Sequence, residues 1–293
     1  MKIPLLMTGA TGLVGSRFVE LYEDKYEIFN IDLTTGVDIT SKDSLTSFVA
    51  THKASCLVHL AAYTNTAEAD KQKGDENGIC YQVNVIGTQN IAEICKKNDI
   101  HLIHISTDFV FDGAKETPYT EEDPISPLDW YGVTKGKAEE VVENSGVGYT
   151  IIRIAYPYRA SYSLKPDIIA KLKLGIEAGT LPPQFADTTI NPTFVDDIAK
   201  GLDLVVTNPK IGIYHLVGSS AVSPYELAVL VAQHYGFAPS IIKRGSLSEY
   251  QKTNSRPLAR YANLSNKKFI NDYGFIPKTL PEGLVALGIT QVK

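Results

Sequence analysis

Three residues within one stretch of the chain have the side chains needed for proton transfer to a carbonyl group. Thr107 follows the apolar run 100–105, which is typical of a buried strand. Tyr131 and Lys135 are four residues apart, so a helix over residues 127–140 would place both on one face. A hydroxyl can hold the carbonyl oxygen, a phenol can protonate it, and an ammonium can lower the pKa of the phenol by its opposite charge. Each feature alone is common in structural roles, such as a Ser-Thr helix cap.

Three glycines near the amino terminus indicate a dinucleotide site. Gly9, Gly12 and Gly15 join an apolar strand over residues 3–7 to a helix predicted to end near residue 23. The first glycine permits a tight turn, the second a close approach of a pyrophosphate, and the third close helix packing. The helix amino terminus then faces the phosphates. Asp32 ends the second predicted strand, where a carboxylate can bind ribose hydroxyls. The alternative role for Asp32 is capping a loop or helix.

Strands and helices alternate through the first half of the sequence. Apolar runs predict strands at residues 3–7, 26–31, 55–60, 100–105, 150–154 and 212–217. Amphipathic or capped segments predict helices at residues 42–52, 79–98, 127–140, 168–177, 195–206 and 224–235. This order indicates an α/β fold, a doubly wound parallel sheet of the Rossmann type. We predict that residues 1–155 and about 186–220 form the dinucleotide-binding domain. About 156–185 and 221–293 would form a smaller, interleaved C-terminal substrate lobe.

Composition narrows the class of protein. The chain has 293 residues, of which 44% are hydrophobic and 21% charged, as in soluble globular proteins. Apolar runs are too short for a membrane span or a signal peptide, so neither is expected. Three cysteines without metal-type spacing suggest a reduced, cytoplasmic protein with no metal site. A net charge of −5 argues against nucleic acid as the main partner. The oligomeric state is left open, with a homodimer among the options.

Charge is distributed unevenly between the two halves. Residues 1–150 carry 12 Lys and Arg against 23 Asp and Glu, whereas residues 151–293 carry 16 against 10. A basic second half suits an anionic substrate, although scattered solvated lysines would give the same count. Arg256 is the candidate for a diphosphate, because a guanidinium can bind phosphate oxygens bidentately. The alternative is that Arg256 ties the C-terminal segment to a helix end.

These motifs together resemble the extended short-chain dehydrogenase/reductase family, and within it most closely the dTDP-4-dehydrorhamnose reductases. The segments that carry the resemblance are the TGxxGxxG loop at residues 8–15, HLAAYT at 59–64, STDFVFDG at 106–113, SPLDWYGVTK at 126–135, NPTFVDDIA at 191–199 and RPLARYANLSNKKF at 256–269. They cover residues 1 to about 200 and a C-terminal stretch.

The resemblance implies roles for individual residues. Thr107, Tyr131 and Lys135 become the catalytic triad, and Thr107 with Asp108 holds the sugar. Cofactor contacts, which include Tyr131 and Lys135, carry over to Gly9, Gly12, Leu13, Val14, Gly15, Asp32, Asp38, Ile39, Ala61, Ala62 and Tyr63. We predict NADH as the cofactor, because Asp32 would repel a 2′-phosphate and no Lys or Arg lies between residues 26 and 41. NADPH is the alternative, with Arg17 as the nearby cation.

Three positions depart from the family pattern, all expected on the sugar side. Tyr156, assigned to the substrate site, stands where the family commonly has tryptophan. Ala67 and Glu68 replace an Asp-Lys pair, and residues 160–163 replace a glycine-rich stretch with Asn-Phe. The favoured activity is reduction of a nucleotide-linked 4-keto-6-deoxy sugar. The alternatives are a sugar-nucleotide epimerase or dehydratase, and a regulatory subunit like that of methionine adenosyltransferase.

Overall fold

A sheet of six parallel strands forms the centre of the molecule, in the order β2-β1-β3-β4-β5-β10. The structure is a computed structural model that describes residues 1–254 and 256–288. The strands are β1 (Ile3–Thr8), β2 (Tyr26–Ile31), β3 (Cys56–His59), β4 (His101–Thr107), β5 (Tyr149–Ile154), β6 (Pro157–Tyr158), β7 (Gln184–Phe185), β8 (Thr189–Ile190), β9 (Thr193–Phe194), β10 (Gly212–His215), β11 (Arg244–Gly245) and β12 (Tyr261–Ala262).

Helices occupy both faces of this sheet and the C-terminal part of the chain. They are α1 (Leu13–Tyr22), α2 (Lys42–Thr51), α3 (Thr66–Asp70), α4 (Ile79–Tyr81), α5 (Gly87–Lys97), α6 (Trp130–Asn144), α7 (Ile168–Glu177), α8 (Val195–Thr207), α9 (Pro224–His234), α10 (Leu247–Gln251), α11 (Lys267–Tyr273) and α12 (Leu280–Ala286). A π-helical segment, Gln82–Ile86, joins α4 to α5, and 3-10 turns cover Leu33–Thr35, Asp108–Val110 and Pro239–Ile241.

Two hydrophobic clusters cover the two faces of the sheet. On one face, α1 and α8 contribute Phe18 and Leu202, both fully buried. On the other face, α2, α5 and α6 contribute Leu45, Ile91 and Val142. Parallel strands buried on both sides are mostly apolar, and the central strands β1, β3, β4 and β5 are, with buried polar exceptions such as His104 on β4 and Arg153 on β5. The predicted doubly wound Rossmann fold is confirmed, including the return of the strand near residue 212 to the main sheet beside β5.

The strand order reverses at β1, which pairs with β2 on one side and β3 on the other. Ligands in open α/β sheets bind outside the carboxyl ends of the strands at such a reversal. Gly9 follows β1 and Leu60 follows β3, so the glycine loop lies at this crevice. The fold therefore places the loop where a dinucleotide is expected.

A third hydrophobic cluster lies in the C-terminal part of the chain. It joins α7, α9 and α12 through residues such as Leu172, Leu227 and Leu284. Short parallel pairs, β7 with β11 and β8 with β12, link residues 184–190 to the region 244–262. The division into two interleaved domains stays a prediction, and residues 289–293 of the predicted lobe lie outside the described residues.

Two segments differ in detail from the sequence prediction. Residues 64–78, which lie between the strand predicted at residues 55–60 and the helix predicted at residues 79–98, contain the short helix α3, which Asn65 caps by accepting a hydrogen bond from the Glu68 N–H. The single helix expected at residues 79–98 is interrupted by the π-helical turn. Among the helices described here, none is long and apolar enough to cross a bilayer.

Candidate active site

The glycine loop is built as the spacing of its glycines predicts. Gly9 has a φ of +65°, and a Cβ there would lie 2.9 Å from the Ala61 nitrogen. A Cβ on Gly15 would lie 2.2 Å from the Gly9 carbonyl oxygen. Only glycine fits these two positions. Gly12 is the N-cap of α1, and no side chain of the described residues caps that helix. The first-turn N–H groups, beginning at Leu13 and Val14, are therefore open to an anion.

Asp32 lies at the carboxyl end of β2 and caps the 3-10 turn that follows. Its carboxylate accepts hydrogen bonds from the Thr34 N–H at 2.6 Å and from the Asn30 amide at 2.9 Å. Burial opposes ionisation, but these hydrogen bonds outweigh it and hold the pKa of Asp32 below its usual value. Thr11 of the glycine loop also donates to Asp32, at 3.3 Å. Asp32 therefore has the capping role that was the alternative to ribose binding. Its carboxylate is also charged and lies beside the glycine loop.

The remaining predicted cofactor residues divide into two groups. Ala61, Ala62 and Tyr63 follow β3, next to the glycine loop, and the Ala61 N–H donates to the Thr8 hydroxyl at 2.9 Å. Ile39 instead packs against α5, where a Cβ on Gly87 would lie 2.7 Å from the Ile39 side chain, and the neighbouring Asp38 is exposed. The Asp38 carboxylate accepts the Thr40 N–H in a local turn at 2.8 Å.

The start of α6 brings Tyr131 to the end of β4. Asp129 caps α6 by accepting the Gly132 N–H at 2.8 Å. A Cβ on Gly132 would lie 2.3 Å from the Phe109 carbonyl oxygen, so the first turn of α6 packs directly on the segment after Thr107. The Tyr131 ring is buried and meets the Phe109 ring edge-on, with centroids 5.4 Å apart.

Lys135 lies one turn further along α6 and is almost fully buried. Its Nζ donates to the Ile105 carbonyl oxygen at 2.7 Å and lies 3.4 Å from His104 Nε2. Both partners belong to β4, the strand that ends at Thr107. The structure therefore brings Thr107, Tyr131 and Lys135 together at one strand end; their catalytic roles stay a prediction.

Burial is the largest cause of the pKa shifts of both Tyr131 and Lys135. Burial and then the nearby charge of Asp108 raise the pKa of Tyr131, while a hydrogen bond with Thr107 acts in the opposite direction. Burial lowers the pKa of Lys135 to about 8, opposed by the charge of Glu139. Desolvation of the phenol is the largest effect, so the net shift of the Tyr131 pKa is upward, and a lowering of that pKa by the charge of Lys135 stays a prediction.

Two buried polar residues close to the Tyr131–Lys135 turn of α6 were not predicted as part of the site from the sequence. His104 is fully buried, and burial together with the charge of Lys135 holds its pKa well below the usual range, so it is a neutral acceptor. Ile103 and Ile105 point to the opposite face of β4, so His104 lies on the face covered by α6. The alternation of side chains along a strand could have revealed this from the sequence. Asn84 lies in the π-helical turn, accepts the Tyr63 N–H at 2.7 Å and donates to Thr134 at 3.0 Å. No sequence signal marks a π turn.

Asp108 lines a cavity to which no residue of the glycine loop contributes. Its Oδ1 accepts the Thr107 hydroxyl at 2.9 Å, whereas its Oδ2 has no partner among residues 1–254 and 256–288. Burial raises the pKa of Asp108 to about 7. The cavity, of about 100 Å³, is lined by residues from both halves of the chain, including Asp108, Phe111, Tyr156, Phe185, Leu247 and Pro257. The mostly apolar lining with few polar groups is typical of a small-molecule site, whereas the volume is below the roughly 300–1,000 Å³ usual for such sites.

Tyr156 lies in this cavity with a strained backbone. Its φ is +42°, a conformation that a tyrosine adopts only under constraint from its surroundings. Its carbonyl oxygen accepts the Thr193 N–H at 3.1 Å, which is part of that constraint. Burial and the charge of Asp108 raise the pKa of the Tyr156 phenol. Tyr156 thus lines the same cavity as Asp108, and its contact with the sugar stays a prediction.

The other two departures from the family pattern lie elsewhere. In the stretch 160–163, Tyr162 donates to the Thr11 carbonyl oxygen at 3.1 Å, and the adjacent Arg159 donates to Ser16 at 2.9 Å. The stretch therefore packs on the glycine loop, bordering a groove of about 720 Å³. This corrects the expectation that it lies on the sugar side. Glu68 is exposed on α3 and pairs with Lys71.

Arg256 takes the structural role that was weighed against diphosphate binding. Its guanidinium donates to Asp129 Oδ2 at 2.7 Å, and Asp129 caps α6. The C-terminal segment is thereby tied to the helix that carries Tyr131. Binding of a diphosphate by Arg256 stays untested, and one of its nitrogen groups is already engaged.

The chain is similar to known proteins over most of its length. A family model described as the RmlD substrate binding domain matches residues 1–289. A dTDP-4-dehydrorhamnose reductase of Aggregatibacter actinomycetemcomitans is 33% identical over 235 residues, covering 78% of this chain and 77% of that protein.

Solved structures match nearly the whole chain. A dTDP-4-dehydrorhamnose reductase of Bacillus anthracis in complex with NADP has a TM-score of 0.85 at 24% identity and covers 98% of this chain and 99% of that one. A dTDP-glucose 4,6-dehydratase of the same organism in complex with NAD has a TM-score of 0.80 at 21% identity, covering 97% and 95%. At these identities the two structures establish likeness of fold alone.

Proposed function

The chain belongs to the RmlD substrate binding domain family, and we propose that it is an NAD(P)H-dependent reductase of a nucleotide-linked 4-keto-6-deoxy sugar, similar to dTDP-4-dehydrorhamnose reductases. The observation that carries the proposal is the convergence of Thr107, Tyr131 and Lys135 at the end of β4, between the glycine loop and the cavity at Asp108. The 33% identical relative named for this activity supports it.

The residues present fit a dinucleotide. The uncapped first turn of α1 begins at Gly12, where a Cβ would meet only the Gly9 carbonyl oxygen at 3.2 Å, so an anion can approach the backbone closely. Tyr131 and Lys135 lie at the neighbouring strand end and would flank the nicotinamide. When bound, the nicotinamide supplies a hydride to the carbonyl carbon.

Tyr131 supplies the proton in this proposal. Its raised pKa keeps the phenol protonated at neutral pH, so it is ready to donate to the carbonyl oxygen. The tyrosinate left behind is stabilised by Lys135, whose pKa of about 8 leaves most of it charged at pH 7. Two of the three ammonium hydrogens of Lys135 point at Ile105 and His104. The third is available for the ribose of the cofactor.

Thr107 and Asp108 hold the sugar. The Thr107 hydroxyl donates to Asp108 Oδ1 at 2.9 Å, which fixes that hydroxyl beside the carboxyl group that lines the cavity. With a pKa of about 7, the Asp108 carboxyl is partly protonated at neutral pH and can donate as well as accept. The unpartnered Oδ2 suits a sugar hydroxyl, because a buried polar atom gains most from a new hydrogen bond.

The cofactor proposed is NADH, with NADPH as the alternative. Relatives do not decide between them, since one solved structure contains NADP and another NAD. The charged carboxylate of Asp32 beside the glycine loop favours ribose hydroxyls over a 2′-phosphate.

Net consumption of NADH tests the activity. The purified protein is mixed with dTDP-4-dehydrorhamnose, and oxidation of NADH is followed alongside formation of the 4-hydroxy sugar. One NADH consumed per product formed is the expected result. Product without net consumption would indicate an epimerase or dehydratase instead. Cofactor binding with no turnover of several dTDP-linked and UDP-linked keto sugars would favour a regulatory subunit.

A further inference from the structure

His59 is a buried histidine at the end of β3 that the proposed mechanism does not use. Both of its ring nitrogens lie within hydrogen-bond distance of a hydroxyl group. Nδ1 is 2.7 Å from the Thr8 oxygen, and Nε2 is 3.0 Å from the Thr88 oxygen. Thr8 ends β1, directly before the glycine loop, and Thr88 lies in the first turn of α5. The imidazole therefore joins these two elements to each other.

The hydrogens of this group can be assigned by counting donors and acceptors. The Thr88 hydroxyl donates its one hydrogen to the Asn84 carbonyl oxygen at 2.6 Å, so it accepts from His59 Nε2. Burial lowers the pKa of His59 to about 3, so the ring is neutral and Nδ1 is an acceptor. Thr8 donates to Nδ1, and its oxygen accepts the Ala61 N–H at 2.9 Å. Each of these hydrogen bonds thus has one donor and one acceptor.

The Nδ1 side of His59 leads to two segments that are predicted to bind the cofactor. Thr8 directly precedes Gly9, and Ala61 begins the segment 61–63 after β3. The two segments are in close contact, since a Cβ on Gly9 would lie 2.9 Å from the Ala61 nitrogen. The hydrogen bonds from Ala61 to Thr8 and from Thr8 to His59 therefore hold together the backbone on which the dinucleotide is proposed to lie.

The Nε2 side of His59 leads to the turn of α6 that carries Tyr131. Asn84, whose carbonyl oxygen accepts from Thr88, donates through its amide to the Thr134 hydroxyl at 3.0 Å. Thr134 in turn donates to the Tyr131 carbonyl oxygen at 2.8 Å. His59, Asn84, Thr88 and Thr134 are each at most 1% exposed. Because water does not reach these groups, removal of one member leaves its neighbour unsatisfied.

We propose that His59 is a positioning residue that couples the cofactor-binding segments at Thr8 and Ala61 to the turn of α6 that carries Tyr131. The proposal rests on the proposed function and adds to it a residue that acts through two threonines rather than by contact with a ligand. Nδ1 supports cofactor binding, and Nε2 supports the placement of the phenol. The two nitrogens therefore have separable effects.

Two amide variants at His59 each restore one of the two hydrogen bonds. The amide nitrogen of His59→Gln can replace Nε2 and donate to Thr88, but Thr8 then lacks its acceptor. The amide oxygen of His59→Asn can replace Nδ1 and accept from Thr8, but Thr88 then lacks its donor. His59→Gln should raise Kd for NADH by at least about fivefold, the lower end of the usual cost of an unsatisfied buried group, and change kcat by a smaller factor. His59→Asn should lower kcat by at least about fivefold and change Kd by a smaller factor, because misplacement of a reactive group slows the chemical step.

Kd for NADH is measured by fluorescence titration of the full chain, and kcat with dTDP-4-dehydrorhamnose at saturating NADH. The matched control is His101→Gln, because His101 Nε2 also bonds a threonine, Thr150, at 2.8 Å, but at the opposite end of the neighbouring strand β4. This control can lower the melting temperature, but should leave Kd and kcat within about twofold. Thr8→Val and Thr88→Val, which replace only a hydroxyl by a methyl group, should reproduce His59→Gln and His59→Asn respectively. They provide the same test if the histidine variants do not fold.

Different results identify which proposal fails. If the wild type consumes NADH with the keto sugar and both His59 variants lose affinity and turnover in the same ratio, His59 only supports the fold and the coupling is wrong. Unchanged Kd and kcat in both variants would also overturn it. If the wild type binds NADH but reduces no keto sugar, the proposed function is overturned. The affinity of His59→Gln for NADH then still tests the Nδ1 side, and an unchanged Kd would overturn the role of His59 as well.

Discussion

The phenol of Tyr131 is the group on which the proposed chemistry depends most directly. It is buried, lies beside Thr107, and burial keeps it protonated at neutral pH. Tyr131→Phe should lower kcat by about 10²- to 10⁴-fold, the usual contribution of a positioned general acid. Binding of NADH, measured by fluorescence titration, should change little, because the ring and its packing on Phe109 remain. A variant with nearly normal turnover would show that another group donates the proton.

Asp108 gives a pH dependence of stability with a defined sign. Burial raises its pKa from 3.8 to about 7, so between these values the native state retains a proton that the unfolded chain has released. Stability therefore falls as pH rises through that window, by up to about 1.4 kcal/mol per pH unit. Asp108→Asn removes this slope, and its stability relative to the wild type should increase from about pH 5 to about pH 8.

Urea unfolding at the two pH values measures the effect of Asp108. Asp43→Asn on the exposed surface of α2 is the control, since its difference from the wild type should stay nearly constant with pH. The same difference at both pH values for Asp108→Asn would mean that Asp108 is ionised in the folded protein.

The reactive residues were predictable from spacing, whereas their environment was not. Four-residue spacing on a helix is a local property, so Tyr131 and Lys135 could be paired from the sequence. The pKa of Tyr131 depends on how much of the fold covers the phenol, and burial, its largest cause, cannot be read from the local spacing. Arg256 illustrates the same limit, because its partner Asp129 is distant in sequence and its pairing depends on tertiary packing.

At the scale of elements, a buried ion pair fixes α6 against the sheet. Glu139 on α6 accepts from Arg153 on β5 through two hydrogen bonds, at 3.0 and 2.6 Å, and both side chains are 2% exposed. The Arg153 guanidinium also lies 5.0 Å from the Phe111 ring centroid. Because the pair is one turn beyond Lys135, it positions the helix that carries the reactive groups.

Glu139→Gln should destabilise the protein by about 3–5 kcal/mol, because it leaves the buried charge of Arg153 without a partner. The matched control is Glu140→Gln, which removes the same charge from the exposed neighbouring residue and should cost less than about 0.5 kcal/mol. Urea unfolding compares the two variants. Similar small losses in both would mean that Arg153 finds water or another acceptor when Glu139 is replaced.

Regular elements were predictable at this scale and irregular ones were not. Helices such as α2 and α9 carry capping signals at Ser41 and at Ser223 with Glu226, and the structure has both caps. The π turn at Gln82–Ile86 has no comparable signal, because its residues also fit an α-helix. The two-residue strands β6 to β9 are too short to show any periodicity.

For the whole molecule, the alternation of strands and helices was enough to predict the parallel sheet. Strands and helices could be told apart because their apolar residues follow different patterns along the chain. The positions of segments that cross between the two halves were not predictable. Residues 159–163 pack on the glycine loop and the start of α1 through Arg159 and Tyr162, although the two segments are far apart in the sequence. Such contacts depend on how the completed fold brings distant loops together.

These contacts between distant segments determine the expected cofactor preference. Arg17 binds both carboxylate oxygens of Asp196 on α8, at 2.7 and 2.8 Å, and Arg159 binds Glu20 at 2.7 Å. Both cations beside the glycine loop are therefore committed to holding α1 against the rest of the molecule. A 2′-phosphate would meet the carboxylate of Asp32 without a free arginine from this network to offset the repulsion.

We therefore expect kcat/KM for NADH to exceed that for NADPH by at least about tenfold, since a like-charge contact costs about 1.4 kcal/mol or more. Asp32→Ala should reduce the ratio by weakening NADH binding and admitting the phosphate. Glu27→Ala, which removes an exposed carboxylate from the same strand β2, should leave the ratio unchanged. A wild-type preference for NADPH that persists in Asp32→Ala would show that Arg17 or Arg159 leaves its carboxylate partner when the cofactor binds.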